Sequence, residues 1–199
     1  MNTLLKNMML ALLSLGIGQA AWAEDVPDLQ KTFQSAKQGN AAAQFNLGLM
    51  YVKGQGGVRQ DHAEAVKWYR QSAKQGFVLA QYNLGVMYDR GLGVRKDYAQ
   101  AVKWYRQAAQ QGFVQAQYNL GVMYYDGLGV RKDYSQAAKW MRQTAQQGNA
   151  RAQYNLGVMY AEGQGVRQNL KVAKEWFGKA CNNGNQSGCD NYRRLKSGY

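Results

Sequence analysis

Residues 78–113 read VLAQYNLGVMYDRGLGVRKDYAQAVKWYRQAAQQGF, and nearly the same string returns at 114–149 and, with more drift, at 150–185. A fourth copy at 41–77 carries one extra residue in its glycine loop. Trp68, Trp104, Trp140 and Trp176 recur every 36 residues. Self-similarity at this period marks a solenoid, in which each unit buries its apolar face only against its neighbours. About three units suffice for such a stack, and this chain has four.

Each unit spells two helices. Ala80, Leu84, Met87 and Tyr88 fall on one helical face, as do Ala101, Trp104, Tyr105 and Ala108. Gly85 interrupts the first helix at a cost of ~1 kcal/mol relative to alanine, so its return as Gly48, Gly121 and Gly157 predicts a neighbour packed against the missing side chain. Gly91-Leu92-Gly93-Val94 breaks that helix. The pairs Asp61/Glu64, Asp97/Gln100 and Asp133/Gln136 predict capping boxes at the second helices. The fourth unit has Asn169 and Val172 there, and keeps only the cap. Gly76, Gly112, Gly148 and Gly184 follow as C′ residues. Phe45, Tyr82, Tyr118 and Tyr154 are expected to pack between repeats.

The pattern Ala80-x3-Leu84-Gly85-x2-Tyr88-x2-Gly91-x-Gly93-Val94-x2-Asp97-x3-Ala101-x2-Trp104-x3-Ala108-Ala109-x2-Gly112 resembles the Sel-1-like repeat family, a branch of the tetratricopeptide-like helical repeats. The resemblance implies an all-α, right-handed superhelical solenoid of antiparallel helix pairs, with first helices lining a concave face. It also implies a scaffold or adaptor for protein complexes, often in envelope or secreted proteins of bacteria.

The flanks complete the organisation. Residues 1–23 read as a signal peptide: Lys6, an apolar stretch, then Ala21-Trp22-Ala23 as a cleavage box before Glu24. The mature protein is therefore expected in the periplasm or outside the cell, with nothing spanning the membrane after cleavage. Residues 24–40 form a leader and an N-terminal capping half-repeat, and 186–199 a C-terminal capping helix. Cys181 and Cys189 are the only cysteines, an even count that in an exported chain points to a disulfide tying the last helices together. A cysteine-rich secreted branch of the family is similar in pairing cysteines eight residues apart.

Charge narrows the partners. The formal charge is +13, and loss of the leader with its single charged residue, Lys6, leaves +12. That balance favours acidic partners such as anionic envelope polymers or lipid head groups, or it is a solvated basic surface. Nucleic acid is not expected for an exported chain. Arg59, Arg95, Arg131 and Arg167 follow the loop valine of each unit and predict a basic ladder along one edge.

Beside the core face of each first helix runs a second stripe. It holds Leu79, Asn83, Val86 and Arg90, then Gln115, Asn119, Val122 and Asp126, then Arg151, Asn155, Val158 and Glu162. In the first unit it holds Ala42, Asn46, Leu49 and Lys53. Asparagine is constant at the second place while its flanks change, which suits a clamp for an extended peptide: the amide grips backbone and the flanks select sequence. The same asparagines could instead bond between repeats, or record duplication.

Catalytic chemistry has no residues to carry it. His62 is the only histidine, and no serine or cysteine occupies a matching place beside it. Two cysteines and one distant histidine do not make a zinc site, so no metal or cofactor is expected. The glycine loop follows a helix and lacks P-loop spacing. The cysteine-rich branch has links to β-lactam binding or hydrolysis, but no S-x-x-K motif occurs here.

Overall fold

A computed structural model of the chain describes residues 28–197. The predicted signal peptide and cleavage site lie outside the described residues. Among the described residues ten helices follow one another: α1 (Leu29–Lys37), α2 (Ala41–Lys53), α3 (His62–Lys74), α4 (Val78–Arg90), α5 (Tyr98–Gln110), α6 (Val114–Asp126), α7 (Tyr134–Gln146), α8 (Ala150–Glu162), α9 (Leu170–Asn182) and α10 (Gln186–Lys196). No strand occurs among the described residues. Each helix packs chiefly on the one before and the one after it in the chain, which makes the molecule an all-α repeat solenoid.

The core is continuous across unit boundaries. Ala80, Leu84 and Met87 of α4 are buried together with Tyr69 and Ala73 of α3 and Trp104 of α5. The next cluster joins α5, α6 and Trp140 of α7 in the same way. Leu47, Leu84, Leu120 and Leu156 are fully buried, each contributing about 1.5–3 kcal/mol. The glycine within the first helix meets the neighbour its position implies. A Cβ on Gly85 would stand 2.6 Å from Cδ1 of Tyr105, and Gly48 and Gly157 face Tyr69 and Phe177 equally closely.

Gly91 closes α4 in the left-handed conformation (φ 72°). Gly93 (φ 67°) has a different reason to lack a side chain, because a Cβ there would lie 2.2 Å from the carbonyl carbon of His62. Its loop thus rests on the first residue of α3 in the preceding unit. Gly129 and Gly165 rest likewise on Tyr98 and Tyr134.

One expectation needs correction. Asp61, Asp97 and Asp133 do cap α3, α5 and α7 through their carboxylates. The reciprocal half of the capping box does not form, because the Asp97 N–H donates instead to the Tyr88 carbonyl at 2.9 Å. Asp61, Asp133 and Asn169 donate to Tyr51, Tyr124 and Tyr160 in the same way. The bond pins the loop to the helix it has just left. The aromatic series packs both within and between units: Tyr82 lies on Tyr105 and Phe113 and Phe45 on Tyr69 and Phe77, while the Tyr118 hydroxyl bonds Asn155 of the next unit.

Polar contact between units rests on glutamine. Gln44, Gln81, Gln117 and Gln153 are buried in the first helices. Their Nε2 groups donate to the carbonyls of Ala36, Ala73, Ala109 and Ala145 at the end of the preceding helix. Their Oε1 atoms accept from Gln75, Gln111, Gln147 and Asn183 at the end of the following one. One side chain thereby adds a second bond to helix-end carbonyls that already accept from the N–H of Gly39, Gly76, Gly112 and Gly148, and ties two helix ends together. At the C-terminal end, a disulfide joins Cys181 of α9 to Cys189 of α10, with Cα atoms 4.5 Å apart.

Candidate functional site

The stripe beside the core faces lies along α2, α4, α6 and α8. Its asparagines are half-buried, while Leu79, Arg90, Gln115, Asp126, Arg151 and Glu162 are exposed. Two adjoining hollows open along it, sharing Tyr118 as a wall. The one between α4 and α6 has a volume of about 450 Å³ and gathers Val86, Arg90, Gln115, Asn119 and Arg151, with Asp89 and Tyr105. The one between α6 and α8 has about 390 Å³ and gathers Val122, Asp126, Asn155 and Val158, with Tyr125, Met141, Tyr154 and Met159. Asn46, Leu79, Asn83 and Glu162 line neither hollow.

The asparagines serve the structure as well as the surface. Asn83 Nδ2 donates to the Tyr69 hydroxyl of the preceding unit at 3.4 Å, while the Tyr105 hydroxyl donates to Asp89 at 3.4 Å. Position 141 is methionine, so Asn155 turns to the Tyr118 hydroxyl instead, at 3.4 Å. Burial pushes the Tyr69 hydroxyl up to about 12, with the Asn83 bond opposing in part. Burial, with the nearby Asp89 carboxylate, pushes Tyr105 up as well. Both hydroxyls therefore stay protonated at neutral pH, and Tyr105 lines the first hollow as a neutral group. Tyr125 is also raised, first by burial, with Glu162 and Asp126 adding to it and its bond to Gln164 opposing.

Charge is divided along the stripe. Arg90 and Arg151 border the first hollow and Asp126 the second. The predicted edge arginines Arg59, Arg95, Arg131 and Arg167 are all exposed, and no ion pair involves them among the described residues. Arg95 sits beside Tyr88 and Val94, apart from both hollows. A second arginine series, not singled out in the sequence, links units: Arg70, Arg106 and Arg142 donate to the hydroxyls of Tyr88, Tyr124 and Tyr160 at 2.8, 2.8 and 2.7 Å. Its signal was available, as an arginine two places after each of the first three repeat tryptophans.

His62 is half-buried at the start of α3 under the Gly93 loop. Among the described residues no three His, Cys, Asp or Glu side chains gather as a metal site, and no helix is long and apolar enough to cross a membrane.

The Sel1 repeat model matches residues 41–77, 78–113, 114–149 and 150–185. No curated protein matches the chain. Among solved structures the chain is similar to c5321, described as a protective antigen present in uropathogenic Escherichia coli strains and displaying an SLR fold. The two are 44% identical with a TM-score of 0.77, over 82% of this chain and 35% of that one. A Sel1 repeat protein from Oxalobacter formigenes is 38% identical with a TM-score of 0.69, over 80% of this chain and 63% of that one. The chain thus spans about a third and somewhat under two thirds of these two relatives. Cysteine rich protein B of Helicobacter pylori, 22% identical over 66% of this chain and 94% of its own with a TM-score of 0.50, shares the fold. Sel1 repeat proteins are generally non-enzymatic scaffolds for protein interaction.

Proposed function

Because the chain belongs to the Sel1 repeat family, we propose that it is a non-enzymatic scaffold of the bacterial envelope, exported by its N-terminal leader, that holds an extended segment of a partner protein. The observation that carries this reading is the pair of adjoining hollows along α4, α6 and α8, which share Tyr118. A floor of neutral tyrosine and methionine favours apolar side chains. Asn83 and Asn155 each spend one N–H on a tyrosine and keep a second N–H and the carbonyl oxygen for a ligand backbone. The exposed flanks then set sequence preference.

The test is a crosslinking capture from envelope extract, with the protein purified from its host as bait, at low and high salt. One partner retained at high salt, and lost when Val122→Glu and Gln115→Glu are introduced together, supports the groove. Diffuse recovery that vanishes with salt sinks it. That second result is the signature of the alternative, an envelope protein bound to anionic polymer or lipid through Arg59, Arg95, Arg131 and Arg167. Their exposure without ion pairs among the described residues favours that alternative. Export has its own check, since protein recovered from the periplasm should begin at Glu24; an intact N-terminus there would overturn cleavage.

A further inference from the structure

We infer that the hollow between α6 and α8 is a socket for one aromatic side chain of the bound segment, with a basic residue of that segment beside it. This rests on the groove reading above and specifies which part of a partner the groove takes.

The socket sits where the repeat breaks its own pattern. The position occupied by Tyr69, Tyr105 and Phe177 in the other units is Met141 here. In the first unit the hydroxyl of that ring accepts from Asn83 of the next first helix, and in the second it donates to Asp89. Met141 has no hydroxyl to offer, so Asn155 bonds Tyr118 and the floor between α6 and α8 is a thioether. A second departure is Tyr125, which replaces the Val52, Asp89 and Ala161 of the other units and supplies an aromatic wall. The corresponding hollow one unit earlier has Tyr105 on its floor and Asp89 and two arginines on its walls.

A flexible, polarisable floor with aromatic walls suits a flat ring, through sulfur–aromatic and edge-to-face contacts. Roughly 150 Å³ holds a benzene ring, and this hollow offers about 390 Å³. Charge picks the neighbour of that ring. Asp126 stands on the wall and Glu162 is its exposed counterpart one unit on, and neither is ion-paired among the described residues. The carboxylates complement a lysine or arginine adjacent to the anchor, whereas Arg90 and Arg151 make the preceding hollow suited to acidic residues.

The experiment selects a display library of random dodecapeptides on the full-length protein and repeats the selection on M141Y. Tyrosine is tolerated at this place in two other units, and the glycine it must pack under is present as Gly121, so M141Y should fold with an unchanged helical spectrum. Enriched peptides should share an aromatic residue with Lys or Arg within two positions, and bind M141Y at least roughly tenfold more weakly. D126K combined with E162K should keep the aromatic preference and lose the basic one. Indole, titrated as a fixed probe, should shift the Met141 and Met159 methyl resonances and leave Met87 still. Peptides that bind wild type and M141Y equally overturn the socket and leave the groove standing. A library with no enriched sequence overturns the groove reading itself, and methyl resonances unmoved by indole then overturn the socket as well.

Discussion

Gly85 and Gly121 hold the same place in successive units yet face different neighbours, and alanine should separate them. Replacing either relieves a helix-interior glycine by ~1 kcal/mol. At Gly85 the new methyl would stand 2.6 Å from the buried Tyr105 ring, an overpacking that costs about 1–3 kcal/mol. At Gly121 it would meet the Met141 methyl at 3.0 Å, with Cγ and Sδ at an ordinary 3.4 Å, and that methyl ends a flexible chain. Urea denaturation should therefore show Gly85→Ala destabilised and Gly121→Ala neutral or stabilised; equal effects would refute the contact. The glutamines make a second residue-scale case. Gln81→Ala should cost about 0.5–1.5 kcal/mol, because it removes a buried hydrogen bond to the Ala73 carbonyl, which keeps the Gly76 N–H, and one from the Gln111 amide, which keeps the Gly76 carbonyl. The raised Tyr69 hydroxyl sets a pH window. Its folded value of about 12 lies above the ordinary ~10, so its contribution is complete below pH ~10 and is lost as pH rises toward 12. Urea midpoints should fall across that interval, and Tyr69→Phe should flatten the fall.

Helices and their caps were legible because period and chemistry coincide: buried Ala80, Leu84 and Trp104 recur at helical spacing, and Asp97 stands where a cap must. The partner of the Asp97 N–H was not legible. A carbonyl of Tyr88, nine residues back, competes for it, and nothing in a three-residue spacing records that the glycine loop folds the chain back so far. The site was half legible for a related reason. Gln81 and Asn83 both recur in every unit and lie two places apart, but burial depends on which helix end approaches, and identity within one chain does not distinguish them. The hollow above Met141 was hidden in what fails to repeat. Among the described residues α10 packs on α9, which holds it through Cys181–Cys189. A tie across so short a loop contributes about 2–3 kcal/mol by the chain-entropy model. Reduction should speed amide hydrogen exchange in α10 and the last turn of α9 and leave α4 to α6 unchanged. Acceleration throughout the chain would instead make the disulfide a support for the whole stack.

At the scale of the molecule, packing between consecutive helices makes the unit exchangeable, and deleting residues 78–113 tests this directly. The deletion joins Phe77 to Val114, the same dipeptide as the native Phe113–Val114 joint. It sets α3 against α6 in place of α5, and α3 carries the matching groups. Ala73 offers the carbonyl that Ala109 gives Gln117, Arg70 the guanidinium that Arg106 gives Tyr124, and Tyr69 the same ring as Tyr105. The Gly129 loop would rest on His62 rather than Tyr98, as the Gly93 loop does now. Three full units remain, the least such stacks need, so the shortened chain should stay helical and melt in one cooperative transition at a lower temperature. Removing residues 96–113 instead should abolish folding, because α4 would then lie beside α6 with no second helix to cover Leu84. If the 36-residue deletion unfolds the protein, the stack is held by contacts longer than nearest neighbours. If it folds and still binds aromatic-basic peptides as the full chain does, the socket between α6 and α8 works independently of the unit removed.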